Sequence, residues 1–557
     1  VKILFWNYLR RFQEKMKKFL VIPAALILVC VLVLSGCGGE EETTTPAQTS
    51  PTPTQTSPTA TETTTPPTTT GPEYGGTLRC VSGAIPNNLG YPPEKAPSDN
   101  YLMLPVLERL AEWDVDGNMI PVLAESWETD ADAMTITWYL KEGIKFTDGS
   151  DWNAEALRWN FQLGIDNSTL TDGQYVESLE VVDEHTLTMH LTSFSWMMIE
   201  NYGLIQSISP TAFESSGATD EERIEWARVN AVGTGPFTVS EWMRDDHITF
   251  VKNPDYWQEG LPYLDAIEIR YIPDTMVAEA TMEAGEADLW MAVSTVQNIV
   301  DLQELGFKIN WGPGMFVTLL PDSNNPDSPL SIKEVREAIE YGIDRPTIAE
   351  MLGQGLYEPL CQMASSTWPG YVEGYDPRPY NPDMAIQKLD EAGLSAGVTF
   401  KILATSTGTD AVAAIQSYLG EVGITIEPDI ADLGRYFGAV FGTGWTDLVF
   451  TASGINPSTT DLFIHYGPSP MTFRTGNIYK SPEYLALCAE ALDPMYTSVL
   501  EALPKIKDAI MQAGEDAMIV PLWRTAEACI MQTYVHTEYP KIHGIMWSPE
   551  DDWMEAH

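Results

Sequence analysis

Between Glu40 and Glu73 the chain carries 34 residues, of which 15 are Thr and 7 are Pro. No residue larger than Ala that could enter a core occurs there, so burial has nothing with which to offset the entropy of ordering the backbone. A packed fold is therefore expected only beyond residue 73. Pro-rich chain favours extended polyproline geometry, at roughly 3.1 Å per residue, which makes this segment a tether of up to about 100 Å.

The chain ahead of the tether is basic. Lys2, Arg10, Arg11, Lys15, Lys17 and Lys18 precede residue 37, opposed only by Glu14. Met16, flanked by lysines, reads as the true start, and residues 19–34 are almost wholly apolar. A positive segment ahead of such a run has the form of a secretory signal. The run ends in Leu34-Ser-Gly-Cys37, which resembles the prokaryotic lipobox. That resemblance implies a lipoprotein signal peptide over 1–36, then a lipidated Cys37 and disordered linker over 37–73. A retained transmembrane helix is the competing reading, because about 20 apolar residues can span a bilayer. The low-complexity tether directly after the run favours the lipoprotein. The protein is expected to be extracytoplasmic and anchored to the cell membrane through Cys37.

Beyond residue 37 stand 25 Lys+Arg against 78 Asp+Glu, within a chain of net charge −48. Nucleic acid is excluded as a partner, since phosphate binding needs clustered cations. Hydrophobic residues make up 44% of the 557, enough for about three packed units of roughly 150 residues.

Residues 75–81 read as a first strand. Residues 99–113 read as a helix capped by Ser98 or Asp99, with Pro105 an irregularity. Met134, Ile136, Trp138 and Leu140 alternate with polar neighbours, as do Leu187, Met189 and Leu191, the period of half-buried strands. Residues 153–162 read as helical, and Ser331-x-x-Glu334 as a capping box opening a helix whose apolar residues Ile332, Val335, Ile339 and Ile343 recur at helical spacing. Asn381-Pro382 starts another helix that Gly393 ends. Strands over 398–403 and 447–451 alternate with a helix over 410–421. The class is α/β with open sheets.

Catalytic chemistry finds little support. His185 and His190, two of seven His, are five apart on an apparent strand and point to opposite faces. There is no HExxH, no Cys/His cluster, no GxSxG elbow and no phosphate loop. Gly233-Thr-Gly-Pro236 reads as a turn before a strand. Cys80, Cys361, Cys488 and Cys529 form no CxxC pair and are either buried thiols or carry one disulfide. No enzyme activity, cofactor or metal is expected.

Several stretches carry a resemblance. Leu123-Ala-Glu-Ser-Trp127 followed by residues 135–149 resembles the signature of family 5 extracellular solute-binding proteins, the peptide/nickel-type receptors of ATP-binding cassette importers. Val232-Gly-Thr-Gly-Pro-Phe237, Lys252-Asn-Pro-Asp-Tyr-Trp257 and Ala284-Gly-Glu-Ala-Asp288 resemble its next landmarks. Val335-Arg-Glu-Ala338, Gly342-Ile-Asp-Arg345, Tyr380-Asn-Pro-Asp383 and Val520-Pro-Leu-Trp523 come after them in the family's order. The resemblance implies a bilobal periplasmic-binding-protein type II fold with an extra subdomain in the first lobe. Lobe I would occupy 74–310, with the subdomain over about 121–230, lobe II 311–524, and 525–557 would return to lobe I. It also implies a monomeric receptor that passes a peptide-like or other small polar solute to permease subunits. An anchored glycoside hydrolase and a non-transport surface binder are the alternatives.

In the dipeptide-binding branch of that family an Asp holds the ammonium group and an Arg the carboxylate. Here the aligned positions read Ile455 and the Arg-free loop Ala404-Thr-Ser-Thr-Gly408. Burying a charged terminus without a partner costs several kcal/mol, so a free dipeptide is expected to bind poorly. Thr405, Ser406, Thr407, Ser453, Gly454 and Asn456 suit an uncharged or weakly charged solute, an oligosaccharide or a peptide held by its backbone. Tyr91, Tyr101, Trp368 and Trp445 are candidate stacking surfaces, with core packing as the competing role. Asp447 and Asp461 are alternative anions.

Overall fold

The computed structural model describes residues 71–557 apart from 97, 98, 100, 101, 115–117, 171, 313, 455–462, 464, 465, 468–475, 541–546 and 557. Two large open sheets dominate it. The first has seven strands in the order Lys308–Trp311, Ala528–Met531, Leu289–Val293, Thr77–Ser82, Ala266–Tyr271, His247–Lys252, Phe237–Met243. The second has six, in the order Glu358–Pro359, Val520–Arg524, Phe316–Pro321, Leu448–Ser453, Val398–Ala404, Ile424–Ile430. The chain passes from the first sheet to the second between Trp311 and Phe316 and returns between Arg524 and Ala528.

Each sheet is buried on both faces, which the period-2 geometry of a strand makes visible residue by residue. Leu78 and Cys80 enter one core of the first sheet while Val81 enters the other. Phe316 and Leu320 face one core of the second sheet, and Val317 and Leu319 the opposite one. A smaller antiparallel sheet, Ala124–Asp130, Thr135–Leu140, Thr186–Leu191 and Val176–Asp183, has its own core. The helix Ala154–Asp166 covers it through Leu157 and Phe161, its start fixed by Asn153, whose side chain accepts from the Ala156 amide.

Two local expectations fail. Residues 99–113 do not form one helix: the chain turns after Leu102 and Ala111–Trp113 is a strand. Pro105 has no N–H to continue a helix, and its carbonyl instead accepts from the Phe237 amide at 2.9 Å. The Ser331 capping box also does not form. Ser331 ends a short 3-10 turn and donates to the Ser328 carbonyl, so the helix Lys333–Gly342 starts at Ile332 with no side-chain cap. The four cysteines of the folded body are free thiols. Among the described residues no helix is long and apolar enough to cross a membrane.

Candidate functional site

The strand directions converge on one region. In the first sheet Thr77–Ser82, Ala266–Tyr271 and Leu289–Val293 run parallel and end on the edge where Lys308–Trp311 leaves and Ala528–Met531 enters. In the second sheet Leu448–Ser453 and Val398–Ala404 run parallel and end where Phe316–Pro321 begins and Val520–Arg524 ends. The two crossings therefore join the carboxyl edges of both sheets. Ligands of open α/β sheets bind outside the carboxyl ends of the strands.

The crossings are tied to each other. The Met315 amide donates to Thr525 Oγ1 at 2.8 Å, and the Thr525 amide donates to the Met315 carbonyl at 2.9 Å. A third bond runs from the Gly312 amide to the Glu527 carbonyl at 2.8 Å. Gly314 sits at φ +65°, and a Cβ there would lie 1.8 Å from the Thr525 carbonyl oxygen. Burial raises the pKa of the Glu527 carboxyl beside this joint.

On the second lobe, register lines up Glu358, Arg524, Phe316 and Ser453 across four strands at the edge. The Arg524 guanidinium donates to Glu358 Oε2 at 2.8 Å, and Glu358 Oε1 accepts from the Ser366 amide at 2.7 Å. Trp368 is 5% exposed and lies against Phe316, ring centroids 6.3 Å apart, so it supports the edge from beneath. Thr405, Ser406 and Thr407 lie just past the last residue of Val398–Ala404, with the hydroxyl oxygens of Thr405 and Thr407 2.8 Å apart. Ser406, Thr407 and Gly454 are exposed, Thr405 is half-buried and Ser453 is buried.

Other sequence candidates are placed elsewhere. Tyr91 lies past the first strand's carboxyl end but is 3% exposed and stacked on Phe213 at 6.0 Å, with its backbone held on both sides by Asn88. Trp445 lies at the opposite end of the second sheet, buried, with its indole N–H on the Leu320 carbonyl at 3.2 Å. Packing takes up both rings. Asp447 is at that same far end and accepts from the Lys401 amide at 2.9 Å. Tyr101, Ile455, Asn456 and Asp461 lie outside the described residues. Arg524, Glu358 and Thr525 carry no local sequence signal, because their partners are distant in sequence.

The family described as bacterial extracellular solute-binding proteins, family 5, middle, matches residues 118–469, more than half of the chain. The chain belongs to this family. Among curated relatives, the glutathione-binding protein GsiB of Shigella flexneri is 29% identical over 332 residues, 58% of this chain and 63% of that protein. The chain thus spans less than two thirds of that relative. Among solved structures, the periplasmic binding protein DppA of Helicobacter pylori in complex with peptide STSA superposes with a TM-score of 0.73 at 20% identity, over 87% of this chain and 99% of that one. AgaA of A. tumefaciens R10, in complex with agropinic acid, gives 0.70 at 22% identity, over 86% and 99%. These likenesses show the two-lobed type II fold.

The family 5 landmarks prove to be joints between elements. Gly233 packs so closely that a Cβ would lie 2.1 Å from the Val106 carbonyl oxygen. Asn253 donates to the Gly235 carbonyl at 3.0 Å. Tyr256 and Trp257 both donate to the buried Glu108 carboxyl, whose pKa burial nevertheless pushes up to about 7. Arg336, in the second lobe, spreads its guanidinium over the carbonyls of Leu330, Asp516 and Ala517 and so caps the helix Val499–Glu515.

Proposed function

We propose that this family 5 protein is a membrane-anchored receptor that captures a peptide-like or other small polar solute between its lobes and delivers it to an ATP-binding cassette permease. The observation that carries this reading is the convergence of both sheets' carboxyl edges on two bonded crossings. Hinged clefts of this kind bind by closing. The solute-facing groups are Thr405, Ser406, Thr407, Ser453 and Gly454, with Trp368 beneath them and Tyr101 and Asn456 as further candidates. Arg524 at this edge already holds Glu358, which favours a solute without a strong net charge. The protein works without a cofactor, as a monomer, and the lipid on Cys37 holds it at the outer face of the cell membrane.

Two measurements test this. Thermal melts against a panel of dipeptides, longer peptides, glutathione and oligosaccharides should show one class raising the midpoint, with a smaller radius of gyration at saturation. A stabilising solute that leaves the radius of gyration unchanged contradicts capture by closure. Mass spectrometry of the mature protein should find an acylated Cys37 at the N-terminus; an unmodified Cys37, or cleavage elsewhere, contradicts the anchor.

A further inference from the structure

Trp196 belongs by chain position to the small antiparallel sheet, coming after its strand Thr186–Leu191 and preceding the helix Met197–Gly203. Around it, Phe194, Met198, Ile199 and Tyr202 pack into that sheet's core. Trp196 and Met197 do not. They sit in the core of the second lobe, and Trp196 is 1% exposed there. Its ring meets Phe463 edge-on at 6.1 Å and 82°, and its indole N–H donates to the Ala491 carbonyl at 2.9 Å. Ala491 ends the helix Pro482–Ala491, where the last four carbonyls have no amide of the helix to accept from. A side chain of one lobe thus serves as the C-terminal cap of a helix in the other.

We propose that Trp196 is an interlobe latch, which holds the lobes together and must be withdrawn when they open on the crossings. Withdrawal exposes a large apolar ring to water and strips a helix-end carbonyl of its donor, both unfavourable. The latch sets the open-to-closed ratio before any solute arrives, and a solute needs only to shift that ratio by its differential affinity. It rests on the two lobes moving as the proposed receptor requires, but not on any particular solute.

The test uses the full chain without added solute. Spin labels go on Val182→Cys and Met495→Cys, both exposed, one on the small sheet and one beyond the Ala491 helix, in a Cys361→Ser background that leaves only buried native thiols in the folded body. Pulsed dipolar spectroscopy should give one dominant distance in the parent. Trp196→Ala should raise a longer-distance population by about tenfold, and Trp196→Phe, which keeps a ring but loses the N–H, by less. A Trp196→Ala protein that still melts cooperatively and keeps the parent's distances overturns the latch, because simple core packing would lower stability without separating the lobes. Should Trp196→Ala not fold, Trp196→Phe is read in the same way, and unchanged distances overturn the latch. A latch that fails here leaves solute binding by the receptor untouched, and a receptor that binds nothing in the melts leaves this distance readout untouched.

Discussion

Met315 and Thr525 close two hydrogen bonds on each other across the crossings, amide to Oγ1 at 2.8 Å and amide to carbonyl at 2.9 Å. The two crossings that join the lobes are thus bonded to each other and are not two independent tethers. Any rotation of one lobe on the other must turn about this pair or break it. Gly314 permits the approach, being in the left-handed region with the Thr525 carbonyl oxygen where a Cβ would stand.

Gly314→Ala should therefore destabilise the fold by more than about 2 kcal/mol, from backbone strain and collision together. Gly420→Ala is the control. Gly420 lies in the helix Thr409–Glu421 with open space around it, so alanine there should be neutral or stabilising by up to about 1 kcal/mol. Denaturant unfolding of both variants checks the pair.

Glu340 is the most buried anion of a network with Glu337, Arg345 and Arg378. It is 2% exposed and lies 3.1 Å from the Arg378 guanidinium and 3.4 Å from that of Arg345, both 4% exposed, while Glu337 lies 3.7 Å from Arg378. Glu340→Ala leaves Arg378 with Glu337 but takes the carboxylate from the buried Arg345, so it should cost about 3 kcal/mol. Equilibrium unfolding in urea measures it, and a loss near zero would mean that water reaches the two arginines.

The Glu108 carboxyl, at about 7, lies above its ordinary 4.5 because burial disfavours the charged form. The folded protein then holds a proton that the unfolded chain releases, so this group's contribution falls as pH rises from about 4.5 to 7 and is level above. At about 1.4 kcal/mol per unit the loss is about 3.5 kcal/mol. Glu108→Gln should flatten that part of the stability profile and match or exceed the parent at pH 8. A Gln variant with the parent's full slope would assign the slope to other groups.

The 78 acidic residues against 25 basic ones beyond residue 37 should make stability depend on salt. Screening shortens the reach of surface repulsion from about 30 Å at 0.01 M to about 3 Å at 1 M. The melting midpoint should rise over a sodium chloride series, and a flat or falling midpoint would reject net repulsion as a cost to the fold.

The architecture was legible in the sequence largely because the residues that carry it have local signatures. Asn153 and Asn381 start the helices expected of them, and alternation placed Ile136, Trp138, Leu187 and Met189 inward. The fold class comes from that grammar together with the collinear family landmarks, whose residues hold buried joints. The failures have physical causes. Pro105 interrupts an apolar pattern that reads as helical but serves as an acceptor for the Gly233–Phe237 turn, and Ser331 ends a short turn of its own, where it donates to the Ser328 carbonyl, leaving Ile332 at the helix start. Of the candidate site, Thr405–Thr407 and Ser453 lie at the carboxyl edge of the second sheet, at the ends of two neighbouring parallel strands, whereas Trp445 and Tyr91 are packed in cores, which composition cannot tell from a stacking surface. Arg524 and Glu358 meet only through sheet register, across 166 residues.

In the proposed receptor, the cleft edge formed by Thr405–Thr407 and Ser453 binds a solute of low net charge. Isothermal titration of free dipeptides, end-capped tetrapeptides and neutral oligosaccharides into the parent, Ser453→Ala and Asp447→Ala measures that preference. A capped peptide or an oligosaccharide should bind one to one and at least about tenfold more tightly than any free dipeptide. Ser453→Ala should weaken that binding, and Asp447→Ala, at the far end of the sheet, should lower stability and leave affinity alone. Submicromolar binding of a free dipeptide that disappears in Asp447→Ala would instead place the solute's ammonium group on Asp447 and rule out a low-charge solute at this edge.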